Sequence, residues 1–294
     1  MDNQKKKWIY LIVLAIIWGS SFILIKKGLI GLTAMQLGAL RIIFTAIFLF
    51  IMGFKTLKTI EKKDWIWLAF SGFAGSFFPV FCFAYAETEI DSSIASILNS
   101  LVPLITLLIG LLIFKIKIKT KQALGVFIGL VGTALLIFQG ANIQSDQKLF
   151  YNFLVVIACI CYGINVNIIK AKLQHVKPIA IATSNFAIIL IPALAVLWKS
   201  NFIQSEALQS SIVQESILYI VILSLFGTAI AKIIFNTLVQ ISTPVFSSSV
   251  TYLIPIVAVM WGIIDGEQFT PIQILGAFTI FGGVYLVNTK KKTS

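Results

Sequence analysis

The chain has 294 residues, 59% of them hydrophobic and 12% charged, with a mean hydropathy of +0.98 and a formal net charge of +12. A water-soluble domain carries about 25% charged residues, so this composition excludes an ordinary soluble domain and indicates a membrane protein. The basic residues sit in short segments between apolar runs and not along a solvated face, which argues against a nucleic-acid partner.

A helix needs roughly 20 apolar residues to cross a bilayer, and ten runs approach that length. The first, 8–25, carries Ile16-Ile17-Trp18-Gly19-Ser20-Ser21-Phe22 at its centre. More spans follow it and no small-residue cleavage site does, so it is expected to be a retained helix and not a signal peptide. Span 2, 33–53, has Arg41 near its middle. A charge at that depth costs at least about 2.5–3.5 kcal/mol and needs a partner or water. Arg41 either holds a substrate carboxylate or orders neighbouring helices. Span 3, 65–86, contains Tyr85 and ends beside Glu87; span 4, 92–114, contains Asn99 and Pro103. Span 5, 122–139, has a stripe of Gly125, Gly129 and Gly132 that reads as helix packing.

Span 6, 149–169, holds Tyr162 and Asn165, and span 7 covers 178–198. Span 8, 216–239, holds Lys232 and Asn236, with Lys232 seven residues from the span end. That is about 10 Å at 1.5 Å per residue, a strained reach for a snorkelling side chain. Substrate-anion binding or a proton-linked role, snorkelling, and structural hydrogen bonding are the three readings of Lys232. Span 9, 243–264, holds Thr251, Tyr252 and Pro255, and span 10 covers 271–288. Pro103 and Pro255 should each bend their helix, to shape a cavity or to act as a hinge.

With the N-terminus inside, the inner segments carry seventeen lysines and the outer segments four. The positive-inside rule then places both termini in the cytoplasm. Cys82, Cys159 and Cys161 all lie in apolar runs, which supports neither a disulfide framework nor a metal site. The single histidine, His175, reads as a solvated loop residue.

The chain repeats itself. At an offset of 144, Trp18-Gly19 falls on Tyr162-Gly163, Ser21 on Asn165, Lys26 on Lys170 and Arg41 on Asn185. At 152, Gly75-Ser76 falls on Gly227-Thr228, Asn99 on Thr251 and Pro103 on Pro255. Residues 8–139 and 149–288 therefore read as two five-span repeats. Five is odd, so the second must be inverted, an architecture that places a solute site at the repeat interface near mid-membrane. The expected fold is an all-α bundle of ten transmembrane helices in two inverted five-helix repeats. Its cavity should be lined by spans 1–4 and 6–9, with spans 5 and 10 peripheral.

The segments "IIWGSSF", "LGALRIIFTAIF", "SSIASILNSLVPLITLLIGLLIF" and "SSSVTYLIPIVAVMWGIIDGEQF" resemble the drug/metabolite transporter superfamily, specifically its ten-span, EamA-type permeases. The resemblance covers nearly the whole chain and implies export or uptake of small metabolites, often amino acids, without ATP hydrolysis. It also leans Arg41 towards a structural role, since that residue type recurs there whatever the substrate. The family's acidic residue at the end of the fourth span is Glu267 in the second half, whereas the first half has Lys115.

The reading is a secondary transporter of a small organic metabolite, with amino acids one candidate class. Its substrate-binding candidates are Trp18, Ser21, Arg41, Tyr85, Asn99, Tyr162, Asn165, Lys232, Asn236 and Tyr252. The partners expected are a small-molecule substrate and the lipid bilayer of a bacterial inner membrane. No cofactor or metal is expected, and the sequence suits a monomer or a homodimer. A lipid scramblase or flippase is the alternative. An intramembrane enzyme is disfavoured by the lack of buried carboxylates and by the single loop histidine. Trp18-Gly19-Ser20-Ser21 either lines the cavity or only packs helices.

Overall fold

The computed structural model describes residues 3–90, 92–116, 119–138, 146–202 and 210–264, and of the remainder 275–276, 278–279, 282–283 and 285–286. Every regular element among the described residues is helical. The first half contains α1 (Asn3–Gly28), α2 (Ala34–Gly53), α3 (Trp65–Gly72), α4 (Phe78–Ala86), α5 (Ser92–Leu98), α6 (Val102–Leu112) and α7 (Thr120–Phe138). The second contains α8 (Asp146–Lys172), α9 (Pro178–Lys199), α10 (Ser211–Ile222), α11 (Ala231–Ile241), α12 (Pro244–Ser248) and α13 (Val250–Ile264).

Local chemistry sets several of these starts. Thr33 and Gln36 form a reciprocal capping box at the head of α2, each side chain accepting from the other's backbone N–H. Pro178 opens α9 and Pro244 opens α12, where a missing N–H costs nothing.

Among the described residues, six continuous helical stretches are long and apolar enough to cross a membrane: Gln4–Gly28, Ala34–Thr59, Lys62–Ala86, Phe150–Lys172, Pro178–Lys199 and Ser211–Ile241. Shorter apolar helices cover Asn99–Leu112, Thr120–Gly132 and Pro244–Val257. The bundle exposes large apolar side chains such as Ile12, Ile51, Leu112, Phe127, Ile191 and Trp198. Such a surface suits hydrocarbon, and helices satisfy their backbone groups internally, as a bilayer requires. The chain is an integral, multi-pass membrane protein. Most of the expected tenth span, and Glu267, lie outside the described residues.

Two of the long stretches are interrupted by π-helical turns, Phe73–Phe77 between α3 and α4 and Leu223–Ile230 between α10 and α11. Such turns leave backbone groups out of the α-helical ladder and are frequent at functional sites. In the first, Pro79 has no N–H to offer the Gly75 carbonyl four residues earlier. In the second, the N–H of Ala231 goes to the carbonyls of Phe226 and Thr228 and passes over Gly227. Each turn thus carries a glycine whose carbonyl lacks its α-helical i+4 donor. The fourth expected span is likewise broken, by a 3-10 turn at Asn99–Leu101 that delivers Pro103 into the first turn of α6. Pro255 lies inside α13.

Small residues set the close approaches. A Cβ on Gly19 would lie 2.5 Å from Val257 Cβ of α13, and one on Gly163 would lie 2.9 Å from Ile105 Cγ2 of α6. The glycine stripe of α7 is a packing surface in the same sense: a Cβ on Gly129 would lie 2.6 Å from the Tyr252 ring.

One end of the bundle is tied across the two halves of the sequence and within the second. His175 Nε2 lies 2.9 Å from Asp64 Oδ2, and the Asp64 side chain is buried. His175 lies in a loop and is half-exposed, as a solvated loop residue would be, but its ring is also held by a carboxylate 111 residues away, which the sequence did not indicate. Beside it, Lys170 Nζ donates to the carbonyls of Val239 (3.3 Å) and Gln240 (3.1 Å), and Gln240 Nε2 donates to those of Leu173 and Val176.

Candidate functional site

Near mid-bundle lies a cavity of about 90 Å³. At roughly 10–15 Å³ for one water, it holds a cluster of waters or one small solute. Helix α1 contributes Trp18, Ser21, Phe22 and Ile25, and α2 contributes Arg41. The two π turns supply Gly75, Ser76, Gly227 and Thr228. Phe83, Asn99, Tyr162, Asn165, Lys232, Phe235 and Thr251 complete its polar and aromatic wall.

The glycine carbonyls of the two π turns are each met by a side chain from the other half of the chain. Trp18 Nε1 donates to the Gly227 carbonyl at 3.0 Å. Lys232 Nζ donates to the Gly75 carbonyl and lies 5.7 Å above the Tyr162 ring, within cation–π range. Both turns are tight at their glycines: a Cβ on Gly75 would lie 2.6 Å from the Asn165 amide, and one on Gly227 2.7 Å from Ser21 Oγ, so either side chain would have to move. The aromatic wall is paired too. Trp18 tilts against Phe235 with centroids 5.1 Å apart, and Tyr162 stacks on Phe83 at 6.2 Å.

The polar groups are partly committed. Arg41 Nε donates to Thr228 Oγ1 at 3.0 Å. Ser21 Oγ donates to the Ile17 carbonyl of its own helix. Asn165 Oδ1 accepts from Ser71 Oγ at 2.7 Å. Ser20 stands outside the cavity and accepts from Trp261 Nε1 at 2.8 Å. Ser76 Oγ, buried in the cavity wall, has no partner. The Trp-Gly-Ser-Ser stretch thus serves both readings raised by the sequence. Trp18 and Ser21 line the cavity, Gly19 packs α1 on α13, and Ser20 ties α1 to Trp261.

The structure brings together Trp18, Ser21, Arg41, Asn99, Tyr162, Asn165 and Lys232, and leaves three expected residues outside. Tyr85 is exposed, at 39%, past the cavity on α4. Asn236 is buried and donates to the Pro178 carbonyl at 3.2 Å. Tyr252 is fully buried and donates its hydroxyl to the Val126 carbonyl of α7 at 2.9 Å. Span 7 was expected in the wall, but no described residue of α9 lines it. Its Asn185 instead sits 3.0 Å from Ser71 Oγ, and a Cβ on Gly72 would lie 3.1 Å from the Asn185 carbonyl. Tight packing of α9 on α3 leaves no room for a cavity between them.

The π turns with Ser76 and Thr228, and the phenyl rings of Phe83 and Phe235, were not anticipated. The repeat register did hold a signal, since it laid one glycine–hydroxyl pair on another in mid-span.

The sequence pattern of the EamA-like transporter family matches residues 6–138 and again 149–289. The chain belongs to the EamA-like transporter family. Among its relatives, an uncharacterized transporter of Bacillus subtilis, YetK, is 24% identical over 300 residues, covering 99% of this chain and 89% of its own. A probable amino-acid metabolite efflux pump of Salmonella typhimurium is 23% identical, covering 96% and 95%. An uncharacterized inner membrane transporter of Escherichia coli, YedA, is 27% identical, covering 96% and 90%. A solved crystal structure superposes with a TM-score of 0.74 at 13% identity, covering 97% of this chain and 96% of its own, a likeness of fold alone.

Proposed function

We propose that this EamA-family protein is a secondary transporter that moves a small organic metabolite across a bacterial inner membrane by alternating access. The observation that carries the reading is the mid-bundle cavity with Arg41 and Lys232 in its wall, framed by two π turns. Irregular backbone and buried charge at membrane depth are tolerated where they line such a cavity.

The architecture in this reading is ten spans in two inverted repeats, 8–139 and 149–288, with both termini cytoplasmic. The paired contacts support it. Gly19–Val257 and Gly163–Ile105, Gly75–Asn165 and Gly227–Ser21, and Trp18–Phe235 and Tyr162–Phe83 are each exchanged by the offsets 144 and 152. The separate family match to each half is consistent with this. Lys170 and Lys26 are related by 144, and Val239 and Glu87 by 152. Lys170 bridges to the Val239 carbonyl, whereas Lys26 makes no hydrogen bond to Glu87 among the described residues. The end carrying Lys170 is thus the closed gate, and the end carrying Lys26 and Glu87 is the open one.

Amino acids and their derivatives are candidate substrates, in keeping with the relative named as an amino-acid metabolite efflux pump. A mid-bundle cavity lined by helices from both halves suits a water-soluble solute better than a lipid, which needs a polar groove open to the bilayer. The reading is tested by untargeted mass spectrometry of cells and medium from strains expressing wild-type protein or Arg41→Gln. A small metabolite should be redistributed between cells and medium by wild type and not by the variant. Identical distributions in wild-type and empty-vector strains would contradict it.

A further inference from the structure

Arg41 and Lys232 occupy one cavity, and nothing described there balances their charge. Their hydrogen-bond partners, Thr228 Oγ1 and the Gly75 carbonyl, are neutral. The ion pairs among the described residues are Lys63–Glu61 and His175–Asp64, neither of them in the cavity. No described aspartate or glutamate is in the wall. The nearest carboxyl to consider is Glu87, just past the end of α4, which accepts from Ser92 Oγ and leaves its Oε1 buried without a partner. It is not among the residues that line the cavity and forms no ion pair with Arg41 or Lys232.

Arg41 and Lys232 have donors to spare in the wall they share. An ammonium has three N–H bonds and a guanidinium five; one of each is accounted for here. Ser76 Oγ adds a buried hydroxyl with no partner. Two partly buried cations and a buried hydroxyl without a described partner are complemented by an anion that can take several hydrogen bonds, as a carboxylate does. Beside the polar groups of Asn99, Asn165 and Thr251, the wall carries Trp18, Phe22, Phe83 and Phe235, which supply aromatic surface for a hydrocarbon body.

The same wall works against a second substrate charge. A zwitterionic amino acid would bring its ammonium into a small, low-dielectric space with two cations and no described carboxylate to receive it. Like charges at such range repel, and that repulsion acts as selectivity.

Resting on the reading of this cavity as the solute site, we infer that it takes an organic acid with a single carboxylate and an aryl or branched-alkyl body, in preference to the amino acid of the same skeleton.

The experiment is calorimetric binding to the purified full-length protein in detergent. The probes are two pairs differing only in the α-ammonium: 3-phenylpropionate against phenylalanine, and 4-methylpentanoate against leucine. The acid of at least one pair should bind about tenfold or more tighter than its amino acid. Lys232→Met should weaken the acid about tenfold or more, and Lys232→Arg should retain part of the affinity. Ser76→Asp, which supplies the missing carboxylate, should weaken the acid and narrow or reverse the preference, so the inference does not hang on the fold of one variant. Equal or tighter binding of both amino acids would overturn it, as would failure of all four probes to bind wild type. Binding in micelles is independent of transport, so these outcomes are distinct from failure of the transport assay above.

Discussion

Trp18 and Gly227, 209 residues apart, are joined by a 3.0 Å hydrogen bond from the indole N–H to a glycine carbonyl inside a π turn. The carbonyl is available because Ala231 bonds past it. Its counterpart is the bond from Lys232 to the Gly75 carbonyl, left without an α-helical partner by Pro79. Truncating such a donor strands a buried acceptor at about 1–3 kcal/mol. Trp18→Phe keeps the ring beside Phe235 and loses only the N–H. It should lower the melting temperature of the purified protein, and an unchanged melting temperature would show that the Gly227 carbonyl is satisfied without the indole.

Gly75 is held to glycine by Asn165, whose amide lies 2.6–2.7 Å from where a Cβ would be. Gly75→Ala should destabilise by about 1–3 kcal/mol, the usual cost of overpacking. Asn165→Ala removes the obstructing amide, so the double variant should be less destabilised than the sum of the single ones. Strict additivity in thermal denaturation would mean that the clash is relieved by backbone movement instead.

Glu87 makes stability depend on pH. Its carboxyl is pushed up to about 8, chiefly by burial, against the Ser92 hydroxyl and the nearby charges of Arg41 and Lys26, which favour the anion. Below the ordinary carboxyl value of 4.5 the folded and unfolded chains both hold the proton, and this group has no effect. From there to about 8 the unfolded chain has lost the proton that the folded chain retains, so stability falls as pH rises. Melting temperatures recorded across that window should decline for wild type and decline less for Glu87→Gln. Parallel profiles would remove Glu87 as the cause.

Much of this was legible in the sequence, and the residues explain which parts were not. Trp18, Ser21, Arg41, Tyr162, Asn165 and Lys232 stood out because polar groups deep in apolar runs need a reason to be there, and all line the cavity. Tyr252 and Asn236 stood out by the same rule, yet their polar atoms are spent on the carbonyls of Val126 and Pro178. Depth identifies a buried polar group but not the direction it faces. The π turns escaped because a shift of one residue in hydrogen-bond register leaves the hydrophobic pattern intact. Only Pro79 and the recurring glycine–hydroxyl pair hinted at them. His175 escaped because its partner Asp64 is 111 residues distant.

Orientation is open to direct labelling. In a background without Cys82, Cys159 and Cys161, a membrane-impermeant thiol reagent applied to intact cells should modify Ser92→Cys and spare Thr120→Cys. The reverse pattern would turn the bundle over and exchange the open and closed gates.

The central claim is that one buried cavity is reached alternately from the two sides of the membrane. Ser76 reports on it most directly, since its hydroxyl is buried in the wall without a partner and cysteine nearly preserves its size. Ser76→Cys in the cysteine-free background should be labelled by an impermeant thiol reagent both in right-side-out and in inside-out vesicles. Labelling should be faster from the side carrying Lys26 and Glu87. Lys170→Met, which removes the bonds to the Val239 and Gln240 carbonyls, should raise the rate from the opposite side. Modification from one side only, in wild type and in Lys170→Met alike, would contradict alternating access through this cavity.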